Sequence, residues 1–213
     1  MTKVTIVDYG VGNLLSVKRG FEYSGVDVEV SSDLAGIKNA SRIVLPGVGA
    51  FRNGMDELKE RNLVDVICDA SNRGVPILGI CLGMQLLFEI GEEFGRTDGL
   101  GLVPGKVKVI SGESGRGLKI RVPHIGWNEI RPVESASSWE KTVLASVHVG
   151  QAMYFNHSFL VEPTDSRCVI AASEYGSNLI PSVIKHENIS GCQFHPEKSG
   201  HSGLQILKVF ADL

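Results

Sequence analysis

The sequence predicts an α/β fold: a mostly parallel central sheet with helices on both faces and an antiparallel addition. Three observations lead there. Apolar strand-like runs alternate with amphipathic helical segments through the first half of the chain. Those runs are nearly continuous in apolar residues, as strands covered on both faces must be. From about Lys106 the texture changes to short alternating strands with no helical pattern between them. No linker or internal repeat divides the chain, so one domain is expected over residues 1–213.

Residues 4–7 form a short apolar strand that ends at Asp8-Tyr9-Gly10. Asn13 is placed to cap a helix whose apolar face carries Leu14, Val17 and Phe21, and Gly25 stops it. Val26, Val28 and Val30 alternate with Asp27 and Glu29, the pattern of a half-exposed outer strand. Residues 42–45 are a buried-type strand, broken by Pro46-Gly47-Val48-Gly49. Met55, Leu58, Leu63, Val66, Ile67 and Ala70 have the spacing of one helix, with Asp56 and Glu57 in its first turn and Gly74 at its end. Residues 75–80 are the next strand, followed by Cys81 and a helix bearing Met84, Leu87 and Ile90. Strands are expected again over 106–110, 169–172, 182–185 and 190–194, and Leu204, Leu207, Phe210 and Leu213 mark a closing helix. The polar segments 111–117 and 134–141 read as surface loops.

Composition narrows the function classes. At 43% hydrophobic and 21% charged residues, the chain is not broadly disordered. A net charge of −3 gives no basic footprint for nucleic acid or an anionic membrane. No apolar stretch approaches the ~20 residues of a bilayer span, and the N-terminal run is too short for an export signal, so a cytoplasmic location is expected. Cys68, Cys81, Cys168 and Cys192 lack CxxC or zinc-like spacing and read as reduced thiols, with no metal expected. The 25 glycines exceed the roughly 15 that a typical ~7% would give, which points to tight turns and close backbone approaches.

Two glycine patterns are bland. Gly10-Val11-Gly12 lacks the third glycine of a dinucleotide fingerprint, since Leu15 stands there, and is read as a tight turn without a cofactor. Residues 112–119 lack the Gly-Lys-Ser/Thr of a phosphate loop. Gly79-Ile80-Cys81-Leu82-Gly83 is different: it matches the G-x-nucleophile-x-G elbow with cysteine in place of serine, between a predicted strand and a predicted helix. A thiol nucleophile needs a base, and the base needs an orienting group. His195-Pro196-Glu197 supplies both, because residues two apart in an extended stretch share a side and Pro196 stiffens the spacing. The other histidines, His124, His148, His157, His186 and His201, have no such neighbourhood in sequence. Acyl transfer also needs oxyanion donors; the elbow offers the N–H of Leu82, and the Gly-rich turn 46–51 offers a second, with glycines flanking Val48 that permit a peptide flip.

Together these residues resemble the class I, triad-type glutamine amidotransferases, through GICLGMQL at 79–86 and QFHPE at 193–197. The segments DYGVGN (8–13), PGVGAF (46–51), PHIGWN (123–128), YFNHS (154–158) and FHPEKS (194–199) resemble more narrowly the glutaminase subunits of imidazole glycerol phosphate synthase. The resemblance implies a flavodoxin-like glutaminase domain with triad Cys81, His195 and Glu197 and no cofactor. It implies oxyanion donors around Val48, Gly49 and Leu82, and a glutamine pocket built from Gln85, Glu93, His157 and Ser158. Its implied partner is a (β/α)8 cyclase subunit that receives ammonia and makes imidazole glycerol phosphate and AICAR, with Asn13, Trp127, Asn128 and Lys198 toward that interface. Phe159 stands where the family usually has tyrosine. Competing expectations are a paralogue feeding ammonia to another acceptor, a stand-alone γ-glutamyl hydrolase, which the PHIGWN and HPEKS segments disfavour, and a non-catalytic scaffold, which an intact Cys-His-Glu set disfavours.

Overall fold

A computed structural model describes residues 3–114, 117, 119–134 and 138–213. The first half alternates as the sequence requires: β1 (Lys3–Val7), α1 (Leu14–Tyr23), β2 (Asp27–Ser31), α2 (Leu34–Lys38), β3 (Ile43–Leu45), α3 (Phe51–Glu60), α4 (Leu63–Asn72), β4 (Ile77–Ile80) and α5 (Leu82–Leu86). Then come β5 (Phe88–Gly91), β6 (Thr97–Asp98), β7 (Val103–Val109), β8 (His124–Glu129), β9 (Arg131–Pro132), β10 (Ala152–His157) and β11 (Phe159–Pro163). The chain closes with β12 (Val169–Tyr175), β13 (Asn178–His186), β14 (Ile189–Cys192) and α6 (Gly200–Asp212).

The main sheet has the order β2-β1-β3-β4-β14-β13-β12-β9. Its first five strands are parallel and its last three antiparallel, which is the mixed sheet expected from the change of texture. The alternating valines of β2 put it at the edge. Alternation along β1 sends Val4 and Ile6 to one face, where they pack with Val17, Phe21, Leu207 and Phe210 of α1 and α6. Val7 goes to the other face, with Ile37, Met55, Leu58 and Ile67 of α2, α3 and α4. Each face therefore buries apolar side chains at ~25 cal/mol per Å², and neither could be left to water. Beside the main sheet stand a four-stranded mixed sheet, β11-β7-β5-β6, in which β5 and β7 pair in parallel, and a two-stranded antiparallel ribbon, β10-β8.

Helix α1 begins where Asn13 accepts a hydrogen bond from Ser16 N at 3.3 Å. Two helical expectations need correction. The apolar series 55–70 is two helices, because Asn62 adopts φ 57° and breaks the i→i−4 ladder. Asp56 and Glu57 consequently lie well inside α3, not in a first turn; the N–H of Phe51 at its start is instead satisfied by Glu93 Oε2 at 2.7 Å. The helix after Cys81 ends at Leu86, and Ile90 lies on β5, paired with Asp98 and Lys106. A spacing of three among Met84, Leu87 and Ile90 fits a helix, but the short apolar run is equally usable as a strand, and pairing with β7 decided it. Of the polar segments, Ser111 and Asn178 exchange hydrogen bonds and Glu113 bridges to Lys119; residues 115, 116, 118 and 135–137 lie outside the described residues.

The C-terminal ends of β1, β3, β4 and β14 come together at one edge of the sheet, and β1 and β3 run outward from a reversal of strand order. In an open α/β sheet that edge is where ligands bind. The backbone there is very close-packed. A Cβ on Gly83 would lie 1.8 Å from the Leu45 carbonyl oxygen, and one on Gly79 would lie 2.6 Å from Met84 Cα. Gly83→Ala should therefore lose at least about 3 kcal/mol of stability in urea unfolding. Gly112→Ala, where nothing lies within 4 Å of the added Cβ, should stay within about 0.5 kcal/mol of the parent. Equal midpoints for the two variants would show that the elbow is not packed as described.

Candidate active site

Cys81 sits at the tip of the strand–turn–helix elbow with φ 54° and ψ −111°, a conformation that costs a residue with a Cβ about 1–3 kcal/mol. Hydrogen bonds hold it on both sides: Cys81 N donates to Cys192 O at 2.7 Å, and Gln85 N donates to Cys81 O at 3.2 Å. The turn aims the thiol off the end of the sheet, between the Asn156 carbonyl oxygen at 3.8 Å and Gln193 Nε2 at 3.9 Å. The N–H of Leu82, the first residue of α5, has no intrahelical acceptor.

His195 follows β14 and is 2% exposed. Its Nδ1 lies 2.8 Å from Glu197 Oε1, so the expected His-x-Glu pairing is formed. Ser199 locks this turn by donating from Oγ to His195 O at 2.6 Å and accepting from Tyr154 N at 3.0 Å. The Nε2 atom of His195 has no hydrogen-bond partner among the described residues. Burial pulls the pKa of the imidazole down, but the Cys81 side chain and the Glu197 carboxylate act against it and the net direction is upward. A thiol, an imidazole and a carboxylate in this order can act as nucleophile, general base and orienting group.

The thiol opens onto a cavity of about 220 Å³, below the range typical of drug-sized ligands and suited to a single amino acid. Its walls gather the residues that the sequence separated. The loop after β3 contributes Val48 and Gly49, the elbow contributes Cys81, Leu82 and Gln85, Glu93 follows β5, His157 ends β10 and Ser158 joins it to β11. Pro123, Asn156 and Phe159 line it as well, and sequence reasoning did not single them out for that. The carbonyl of Phe159 accepts from Gln85 Nε2 at 3.0 Å and lies 2.8 Å from His157 Nδ1.

The two glycines flanking Val48 differ. Gly47 is wedged, with its would-be Cβ 2.5 Å from Tyr9 Oη and 2.9 Å from Leu82 Cβ, whereas nothing lies within 4 Å of one on Gly49, which has φ 114°. Tyr9, fully buried, donates from its hydroxyl to Pro46 O at 2.5 Å and so pins the start of this loop. Any reorientation of the Val48 peptide therefore has its freedom on the Gly49 side.

Two further residues were missed. Gln193, fully buried, accepts from Gln85 Nε2 at 3.0 Å and approaches the thiol. Tyr154 lies between Trp127, edge-on at 6.0 Å, and His195 at 6.5 Å, with Lys198 Nζ 5.9 Å from its ring centre. The YFNHS and QFHPE segments held both names, but nothing local distinguished them. Trp127 and Ile125 are each 59% exposed on the outer face of β8, and Lys198 is exposed nearby. Asn128 is turned the other way, since strand alternation points it inward, where its amide donates to Glu174 O at 2.9 Å. Asn13 uses its side chain to cap α1. Burial pushes the thiols of Cys68, Cys168 and Cys192 up, that of Cys168 to about 11, in keeping with inert interior residues.

His124 and His157 face one another across the ribbon, Nδ1 to Nε2 at 3.1 Å. Burial lowers the pKa of each to about 4, and for His157 the neighbouring His124 and His195 add to it. Neutral in the fold and titrating near 6.5 when unfolded, they make the unfolded chain bind more protons between those values. Their contribution to stability is complete above pH 6.5 and is lost as pH falls toward 4. Urea unfolding between pH 6 and 5 should show stability falling by up to about 3 kcal/mol per pH unit. A flat profile there would rule out a neutral pair.

Comparison with known proteins shows the family. The model of the glutamine amidotransferase class-I family matches residues 5–212. The imidazole glycerol phosphate synthase subunit HisH 1 of Legionella pneumophila (strain Lens) is 43% identical over 213 residues, covering 100% of both chains. The HisH subunit of Salinibacter ruber is 44% identical over 210 residues, covering 98% of this chain and 94% of that protein. In fold, the chain is similar to the structure of PurLQS from Thermotoga maritima, with a TM-score of 0.71 at 17% identity over 99% of this chain and 97% of the other. The family match over residues 5–212 and HisH relatives 43–44% identical over nearly the whole chain lead to one conclusion: the chain belongs to the class I glutamine amidotransferases, in the group of HisH subunits.

Proposed function

We propose that the chain is the glutaminase subunit of an imidazole glycerol phosphate synthase and works with a (β/α)8 cyclase subunit as a cytoplasmic heterodimer. One observation carries the chemistry: Cys81 is held in a strained elbow over an amino-acid-sized cavity, beside a buried His195–Glu197 pair. Glutamine enters with its side-chain amide toward the thiol. Glu93 meets the α-ammonium group, and Gln85 with the backbone at 157–158 completes the pocket.

His195 takes the Cys81 proton, and Sγ bonds to the amide carbon. The oxyanion is received by the N–H groups of Leu82 and of the Val48–Gly49 segment. His195 returns the proton to the leaving nitrogen, the C–N bond breaks, and ammonia departs from a γ-glutamyl thioester. Water, deprotonated by the same imidazole, adds to the thioester; the C–S bond breaks, releasing glutamate and regenerating the thiol. Glu197 keeps Nδ1 of the ring protonated and stabilises the imidazolium in both halves.

The relatives named as synthase subunits support the partner, as does the exposed apolar face formed by Ile125 and Trp127 next to Lys198 and the triad. Ammonia released there is delivered to the cyclase, which makes imidazole glycerol phosphate and AICAR. No helix among the described residues is long and apolar enough to cross a membrane. A loop held at Gly47 and free at Gly49 supports an oxyanion hole that the partner completes.

Cys81→Ala should lower glutamine hydrolysis by about 10⁵-fold or more, and Glu197→Ala by about a hundredfold less than that. In the Cys81→Ala complex, added ammonia should still drive the synthase reaction; retained hydrolysis would overturn the nucleophile assignment. Glutaminase activity of the isolated chain should be low and rise at least about tenfold when the cyclase and its nucleotide ligand bind. Full activity in the isolated chain would remove the partner from the proposal.

A further inference from the structure

Between β8 and the thiol runs a set of hydrogen bonds that the reaction scheme above does not use. His157 Nδ1 lies 2.8 Å from Phe159 O. A carbonyl only accepts, so the proton of neutral His157 is on Nδ1 and its Nε2 is an acceptor. That fixes His124, 3.1 Å away, as the donor through Nδ1. His124 Nε2 is then an acceptor, and Asn128 Nδ2 lies 3.4 Å from it. The same Phe159 carbonyl accepts from Gln85 Nε2, which also donates to Gln193 Oε1, and Gln193 Nε2 approaches Cys81. His124 is 3% exposed and clamped between the rings of Phe155 at 4.7 Å and Tyr175 at 4.0 Å, so its plane is fixed before any bond is made.

We propose that His124, which does not line the cavity, is a positioning residue for glutamine: through the Asn128–His124–His157 hydrogen-bond chain it fixes the backbone at 157–159 that walls the substrate pocket. The inference rests on the glutaminase reading. The strand that carries it has two faces. Ile125 and Trp127 lie on the exposed face of β8, while His124 and Asn128 lie on the other, His124 against His157 and Asn128 against Glu174 O. In register, His124 pairs with His157 itself. A shift of β8 therefore reaches the pocket wall directly. Lowered pKa values keep both rings neutral at pH 7, which the one-way chain of donors requires.

Two measurements test it. Ring ¹H–¹⁵N correlation spectra of the wild-type protein at pH 7 should show both His124 and His157 neutral with the proton on Nδ1. A proton on Nε2, or a charged ring, overturns the chain whatever the activity. In the complex with cyclase, His124→Phe, which keeps the ring stacking and removes both nitrogens, should raise the glutamine KM by about tenfold while kcat changes by less than about threefold. An unchanged KM, or a kcat loss without a KM change, overturns the positioning role. Should His124→Phe fail to fold, the wild-type spectra alone decide. Failure of the glutaminase reading itself looks different: the wild-type complex would then not hydrolyse glutamine at all.

Discussion

The backbone of Gly83 lies against the carbonyl of Leu45, too close for any side chain, and the rest of the active edge follows from that contact. It lets α5 start directly after β4, which forces the intervening Cys81 into positive φ and lifts its thiol clear of the sheet. The strain is held by the hydrogen bonds to Cys192 and Gln85 and by a fully buried sheet on both sides, so the cost is met by the fold as a whole. The same contact sets the distance between the loop after β3 and the first turn of α5. The oxyanion donors proposed on the two segments are thereby placed relative to one another by packing, not by the substrate.

Histidine chemistry at this edge is divided by environment. His195 has a buried carboxylate on one side and a thiol on the other, and its pKa moves up despite burial. His124 and His157 are buried together without a carboxylate or thiol partner among the described residues, and theirs move down. The proposed general base thus stands beside two histidines that stay neutral and serve as fixed hydrogen-bonding parts.

The proposed partner dependence has a physical basis in two features. One is the loop at Val48, anchored by Tyr9 at its first residue and free at Gly49. The other is the β10-β8 ribbon, which stands apart from the main sheet and carries Trp127 outward and His124 inward. Both lie next to the cavity, and both present exposed apolar surface in Val48, Ile125 and Trp127.

What the sequence determined by itself is local. The Asn13 cap, the edge position of β2, the cysteine elbow and the His195–Glu197 pair all depend on residues within four positions of one another, where backbone geometry alone fixes who can meet. Where local rules allow two outcomes, the folded chain chose: the left-handed turn at Asn62 splits one apolar series into two helices, and Ile90 joins a strand because β7 offers it hydrogen bonds. The histidine pair, the Gln85–Gln193 bridge and the Tyr9–Pro46 bond join residues 33, 108 and 37 positions apart. No periodicity encodes such partners. They exist because burying a polar group without a hydrogen bond costs more than making one, and only the folded chain decides which groups are buried together.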